Sequence, residues 1–103
     1  MRKWLDAEKT ASRILQRDPH HPIARARRAL ALYNLGRFAD AQKVYNSVVV
    51  DYPSDVEMMS GIGWCQLKQG KAQEAIQTFE KALLISPEHS SALQGLATLN
   101  ATQ

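Results

Sequence analysis

The sequence contains one cysteine, Cys65, in 103 residues, so no internal disulfide can close and the redox compartment is left open. It has no apolar run approaching the roughly 20 residues a membrane helix needs. The opening Met1-Arg2-Lys3-Trp4 is basic but is not followed by the apolar stretch of a secretory leader. A soluble chain without a targeting segment or membrane insertion is expected, with localisation unknown. The chemistry-bearing patterns are equally sparse. There is no glycine loop to cradle phosphate, no thiol pair, no histidine–glutamate helix motif, and no carboxylate pair in a definable polar pocket. Catalysis needs a nucleophile with an orienting base, paired acids or a metal constellation, so the expectation is no enzyme, no cofactor and no metal. His20 and His21 sit in a turn, and His89 lies in another turn without acidic or thiol company, which favours turn roles over ligation. Cys65 reads as a small packing residue.

What the sequence does contain is a period. Shifted by 34 residues it falls on itself: Pro19, Pro53 and Pro87 superpose, as do Gly36 and Gly70, Ala7, Ala41 and Ala75, and Tyr45 and Phe79. Self-similarity at this spacing means stacked units, each too small to bury its apolar face alone. Ala29, Gly63 and Ala97 are small on the first helix of each unit, and Ala7, Ala41 and Ala75 on the second, where axes must approach to roughly 8–10 Å. Gly36 and Gly70 stand where the first helix must end left-handed, and the prolines stop each second helix. Ser54 or Asp55 can cap the helix that follows.

The stretch Gly70-Lys71-Ala72-Gln73-Glu74-Ala75-Ile76, with Phe79, Ala82 and Ser86-Pro87, resembles the second half of the tetratricopeptide repeat (TPR) motif, and Gly36–Pro53 repeats it. The resemblance covers essentially the whole chain and implies an all-α fold, a right-handed superhelical α-solenoid of antiparallel hairpins with about six helices. One domain, 1–103, would comprise the second helix of a partial repeat (1–21), two repeats (22–55 and 56–89) and the first helix of another partial repeat (90–103). Such a start and end suggest an excised fragment or unusual caps. Arg25 and Arg28 depart from the pattern, standing where large apolar residues are favoured, as do Gln66 and Asn100 at aromatic positions. Arg25 and Arg28 align with Met59 and Ile62 on the inward stripe, so their guanidinium groups must snorkel or find carboxylates.

By the same resemblance, first helices line a concave groove that holds a partner segment. The groove residues would be Ile23, Ala26, Leu30 and Tyr33, then Ser60, Trp64 and Leu67, then Ser91, Gln94 and Thr98. Two readings of Tyr33 and Trp64 stand: anchors for a partner, or rings packed between neighbouring first helices. Positions at which some family members grip a terminal carboxylate are here Ala26, Leu30, Ser60, Gly61, Gln94 and Gly95, none of them basic. The reading is therefore a protein-interaction scaffold that takes a short, partly apolar protein or peptide segment.

Charge adds two alternatives. Residues 1–43 carry ten Lys/Arg and four Asp/Glu, whereas residues 44–103 carry three and six, a net of +6 against −3. Arg25, Arg27 and Arg28 cluster as a candidate anion patch, and pentatricopeptide repeats, which are similar hairpins, bind RNA. The alanine, glycine and proline pattern weighs against nucleic acid. The asymmetry, with apolar residues on the end helices, also points to weak self-association of a structural repeat segment.

Overall fold

The computed structural model describes residues 1–101, folded as six helices with no strand among the described residues. They are α1 (Arg2–Arg17), α2 (Pro22–Asn34), α3 (Phe38–Asp51), α4 (Val56–Lys68), α5 (Ala72–Ile85) and α6 (Ser90–Ala101). The period governs the helix ends. Each of α1, α3 and α5 stops immediately before an X-Pro pair, with Asp18, Tyr52 and Ser86 at φ −137°, −130° and −135°. Those are the extended values that the following proline ring imposes.

The turns inside each hairpin are as short as glycine permits. Gly36 and Gly70 adopt φ 81° and 79°, the left-handed region. The amide of Gly36 then donates to the Tyr33 carbonyl, and that of Arg37 to the Leu32 carbonyl, at 3.0 and 2.9 Å. Gly70 and Lys71 repeat the pair on Leu67 and Gln66. This double closure satisfies carbonyls that a helix end leaves unpaired, and it reverses the chain within three residues. Between hairpins, Asp55 caps α4 by accepting from the Met58 amide at 3.2 Å. The His21 Nδ1 caps α2 in the same way, accepting from Ala24 at 3.1 Å.

Consecutive helices pack side by side into a slab 41 × 28 × 18 Å across, and α2, α4 and α6 form one layer through the α2–α4 and α4–α6 contacts. The interior divides into two clusters. Tyr45 closes one with Ala29, Leu32, Ala41, Ile62 and Cys65, and Phe79 closes the other with Met59, Ala75, Ala82, Ala92 and Leu99. Phe79 fits because Gly63 and Gly95 face it; a Cβ on either would collide with its ring. Ala29 and Gly63 are buried as small contact residues, but Ala97 is exposed because none of the described helices packs over it.

The arginines at inward positions both find carboxylates. Arg25 is buried, its Nη1 2.9 Å from Asp51 Oδ2 and 3.0 Å from the Ser47 carbonyl, while Nη2 donates to the His20 carbonyl at 2.9 Å. It ties α2 to the last turn of α3, where the helix dipole also favours a cation. Arg28 Nε lies 3.3 Å from Glu8 Oε1 and joins α2 to α1. Gln66, at a position the repeat pattern gives to an aromatic, accepts from the Thr78 hydroxyl at 2.6 Å, so its amide is partnered inside the hairpin.

Candidate binding groove

The α2–α4 layer opens onto a cavity of about 600 Å³. From α2 come Ile23, Ala26, Arg27, Leu30 and Tyr33; from α4 come Glu57, Met58, Gly61 and Trp64; Ser91 of α6 closes one end. Its floor is the ring of Tyr45, reaching through from α3. Gly61 makes that reach possible, since a Cβ there would stand 2.7 Å from the Tyr45 ring. The walls are largely apolar, with Ile23 60% and Leu30 46% exposed.

Both aromatics at the rim are held in place and still face the cavity. The Tyr33 ring meets Phe38 edge-on, centroids 5.2 Å apart at 70°. Trp64 meets Phe79 at 5.6 Å and 73°, and its Nε1 donates to Ser91 Oγ at 3.0 Å. One face of Trp64 thus belongs to the second core cluster while the residue also lines the cavity, so packing does not remove it from the groove wall. Rigid half-buried rings lose little entropy when a ligand settles on them, which suits an anchor.

Six residues predicted for the groove line this cavity: Ile23, Ala26, Leu30, Tyr33, Trp64 and Ser91. Ser60, Leu67, Gln94 and Thr98 do not. Ser60 is 1% exposed, Leu67 packs into the Phe79 cluster, and Gln94 is exposed beyond the cavity. The reason is geometric. Two parallel first helices present different sides to the space between them, so the face of α4 equivalent to Ala26 and Tyr33 of α2 turns toward the next repeat. Met58 comes to the near side instead, beside Glu57 and Gly61, the counterparts of Ile23 and Arg27. Gly61 was the available signal, because glycine inside a helix costs roughly 1 kcal/mol against alanine and marks a close approach.

The three arginines do not gather into one patch. Arg25 is buried against Asp51, Arg28 is engaged by Glu8, and Arg27 alone of the three lines the groove, with Glu57 also on its wall. His89 Nε2 lies 3.0 Å from Glu57 Oε1, off the line of a hydrogen bond. No group of three or more His, Cys, Asp or Glu that could hold a metal ion occurs among the described residues. Burial pushes the Cys65 thiol up to about 12. Burial, then the neighbouring Cys65, Tyr33 and Glu57, pushes the Tyr45 phenol to about 12 as well. Both stay protonated at neutral pH and act as packing groups.

Among solved structures, the first TPR of Spaghetti (RPAP3) bound to the HSP90 peptide SRMEEVD superposes with a TM-score of 0.88 at 25% identity, over 97% of this chain and 79% of that one. The Arabidopsis OM64 TPR domain superposes at 0.90 and 18% identity, over 99% and 84%. In sequence, the chain is 32% identical over 72 residues to a probable biofilm formation methyltransferase, WspC, of Pseudomonas putida, and 27% identical over 88 residues to the CTR9 homolog of Arabidopsis thaliana. The matches take in 70% and 84% of this chain but only 17% and 8% of those much longer proteins. The sequence pattern of the tetratricopeptide repeat matches residues 1–41 and 26–92. The chain belongs to the tetratricopeptide repeat family.

Proposed function

We propose that this chain is a protein-interaction module whose α2–α4 groove holds a short, partly apolar segment of a partner protein. The observation that carries this reading is the groove itself: about 600 Å³, walled by Ile23, Ala26, Leu30, Met58 and Trp64 over a Tyr45 floor. Preformed apolar clefts with a few placed polar groups are where proteins take ligands. The peptide held by the RPAP3 domain, which shares 25% identity with this chain, supports peptide binding as the class of function.

The ligand differs in chemistry from that acidic chaperone tail. A tail ending in carboxylates needs several cations, and this groove offers Arg27 with Glu57 on the same cavity wall. The positions suited to a carboxylate clamp hold Ala26, Leu30, Ser60, Gly61, Gln94 and Gly95. An apolar segment with at most one acidic residue fits better. The engagement of Arg25 and Arg28 by Asp51 and Glu8 takes up two of the three arginines of the candidate anion patch, which weakens the case for an RNA backbone. We assign the chain no catalysis, and the activity in the name of the methyltransferase relative stays with that protein.

Panning a displayed library of short segments against the chain tests this. Apolar peptides that compete with one another and quench Trp64 fluorescence are expected. Enrichment of acidic C-terminal tails, or of no peptide at all, would overturn the reading.

A further inference from the structure

A second apolar gap, of about 450 Å³, opens between α1 and α2. Its origin lies in one substitution within the period. Ala11 stands where Tyr45 and Phe79 stand one and two repeats later, so no ring fills the space and Trp4, Ala7 and Ile14 face the gap with Ile23 and Leu30. None of the described helices covers it. At the other end α6 leaves Leu93 and Ala97 exposed.

We propose that these two surfaces meet between copies of this chain: α6 of one copy seats on the α1–α2 gap of the next and completes a hairpin with its α1. Helix α6 aligns with the first helices α2 and α4, and α1 with the second helices α3 and α5. The joint therefore repeats pairings already present within the chain. Leu32 and Val44 belong together to the first core cluster, and their counterparts Gln66 and Thr78 are hydrogen bonded at 2.6 Å. At the joint the same two positions are Asn100 of one copy and Thr10 of the next, again an amide with a hydroxyl. The Tyr33–Phe38 ring pair becomes Ala101 against Trp4, small against large. Ala97 meets Ala7 where Ala29 and Ala41 lie together in the first cluster.

Charge selects the second copy as occupant. Residues 1–28 carry eight Lys/Arg and three Asp/Glu, and residues 74–101 carry one and three, so unlike ends attract. The contact is head to tail and does not close on itself, so it continues from copy to copy. Ile23, Arg27 and Leu30 line both the gap and the groove, but Ile14 and Ala97 line no part of the α2–α4 cavity, so changes at those two positions test the joint apart from the groove.

The test uses the full chain and two variants at exposed positions, Ile14→Arg and Ala97→Arg, whose folding is checked by circular dichroism and melting. Sedimentation velocity on the unchanged chain is expected to show mass rising with concentration past the dimer, more weakly at high salt. Each variant alone should remain monomeric, and their equimolar mixture should form a dimer and stop there, because only one intact pair of ends is available. If either variant melts early, Thr10→Arg and Asn100→Arg on the same faces replace the pair. A chain that stays monomeric to millimolar concentration at low salt overturns the proposal, even if it captures a helical segment of some other protein there. So does a variant that dimerises alone, which would mean a symmetric contact.

Discussion

The ring of Tyr45 lies against the backbone of Gly61, close enough that a methyl group there would stand 2.7 Å from it. That one approach brings α3 under the α2–α4 layer and gives the groove its floor. Gly61→Ala is therefore expected to lose on the order of 1 kcal/mol net, since overpacking of roughly 1–3 kcal/mol exceeds a helix-propensity gain of roughly 1. The loss should shrink in a Tyr45→Leu background, a coupling measurable by urea denaturation of the single and double variants. Gly36→Ala should also cost about 1–2 kcal/mol, from its left-handed φ of 81°, but without coupling to Tyr45.

Arg25 and Asp51 give a second prediction. Asp51 is partly solvated, with 41% of its side chain exposed, whereas the guanidinium is buried. Removing the carboxylate strands a buried cation on two carbonyls, so Asp51→Ala is expected to lose about 1–3 kcal/mol. Arg25→Met, which installs the residue found one repeat later at Met59, should stay within about 1 kcal/mol of the parent or exceed it, because apolar replacement of a buried ion often breaks even. Equal large losses in both variants, by thermal melting, would contradict this account.

Much of this architecture is legible in the sequence. Pro19, Pro53, Pro87, Gly36 and Gly70 act through backbone restrictions that need no tertiary context, so helix ends and turns follow from residue type alone. The small residues Ala29, Gly63, Ala41 and Ala75 mark where helices touch. What the period cannot supply is how far α4 is turned in the groove, since it assigns Ser60 and Leu67 by analogy with Ala26 and Tyr33 of α2 while packing buries Ser60, sets Leu67 against the Phe79 cluster and brings Met58 to the cavity. Nor does it reveal that Arg25 reaches Asp51, because that pairing depends on α3 lying alongside α2.

The lowered acidities of Cys65 and Tyr45 make stability pH-dependent in one direction. Each group ionises near its ordinary value, about 9 or 10, in the unfolded chain but only near 12 in the folded one. Between those limits the folded state binds more protons, so its advantage, complete below pH about 9, is lost as pH rises toward about 12. Urea midpoints should be level near neutrality and fall in the alkaline range. Cys65→Ala and Tyr45→Phe should each flatten that fall, although each shifts the neutral baseline. A thiol-specific reagent should label Cys65 at the rate of unfolding, and rapid labelling of the native chain would contradict its burial.

If the α2–α4 groove is a ligand site, Leu30 on its wall is the position at which a charge should disturb it. Its side chain lines the cavity and is 46% exposed, so Leu30→Glu should leave melting nearly unchanged, within about 0.5 kcal/mol as for most surface changes. Fluorescence titration of a groove-selected peptide, at concentrations where the chain is monomeric, should then show affinity lowered by roughly one to two decades, the equivalent of about 1.5–3 kcal/mol of lost apolar burial. Unchanged affinity in a variant that melts normally would contradict the central claim.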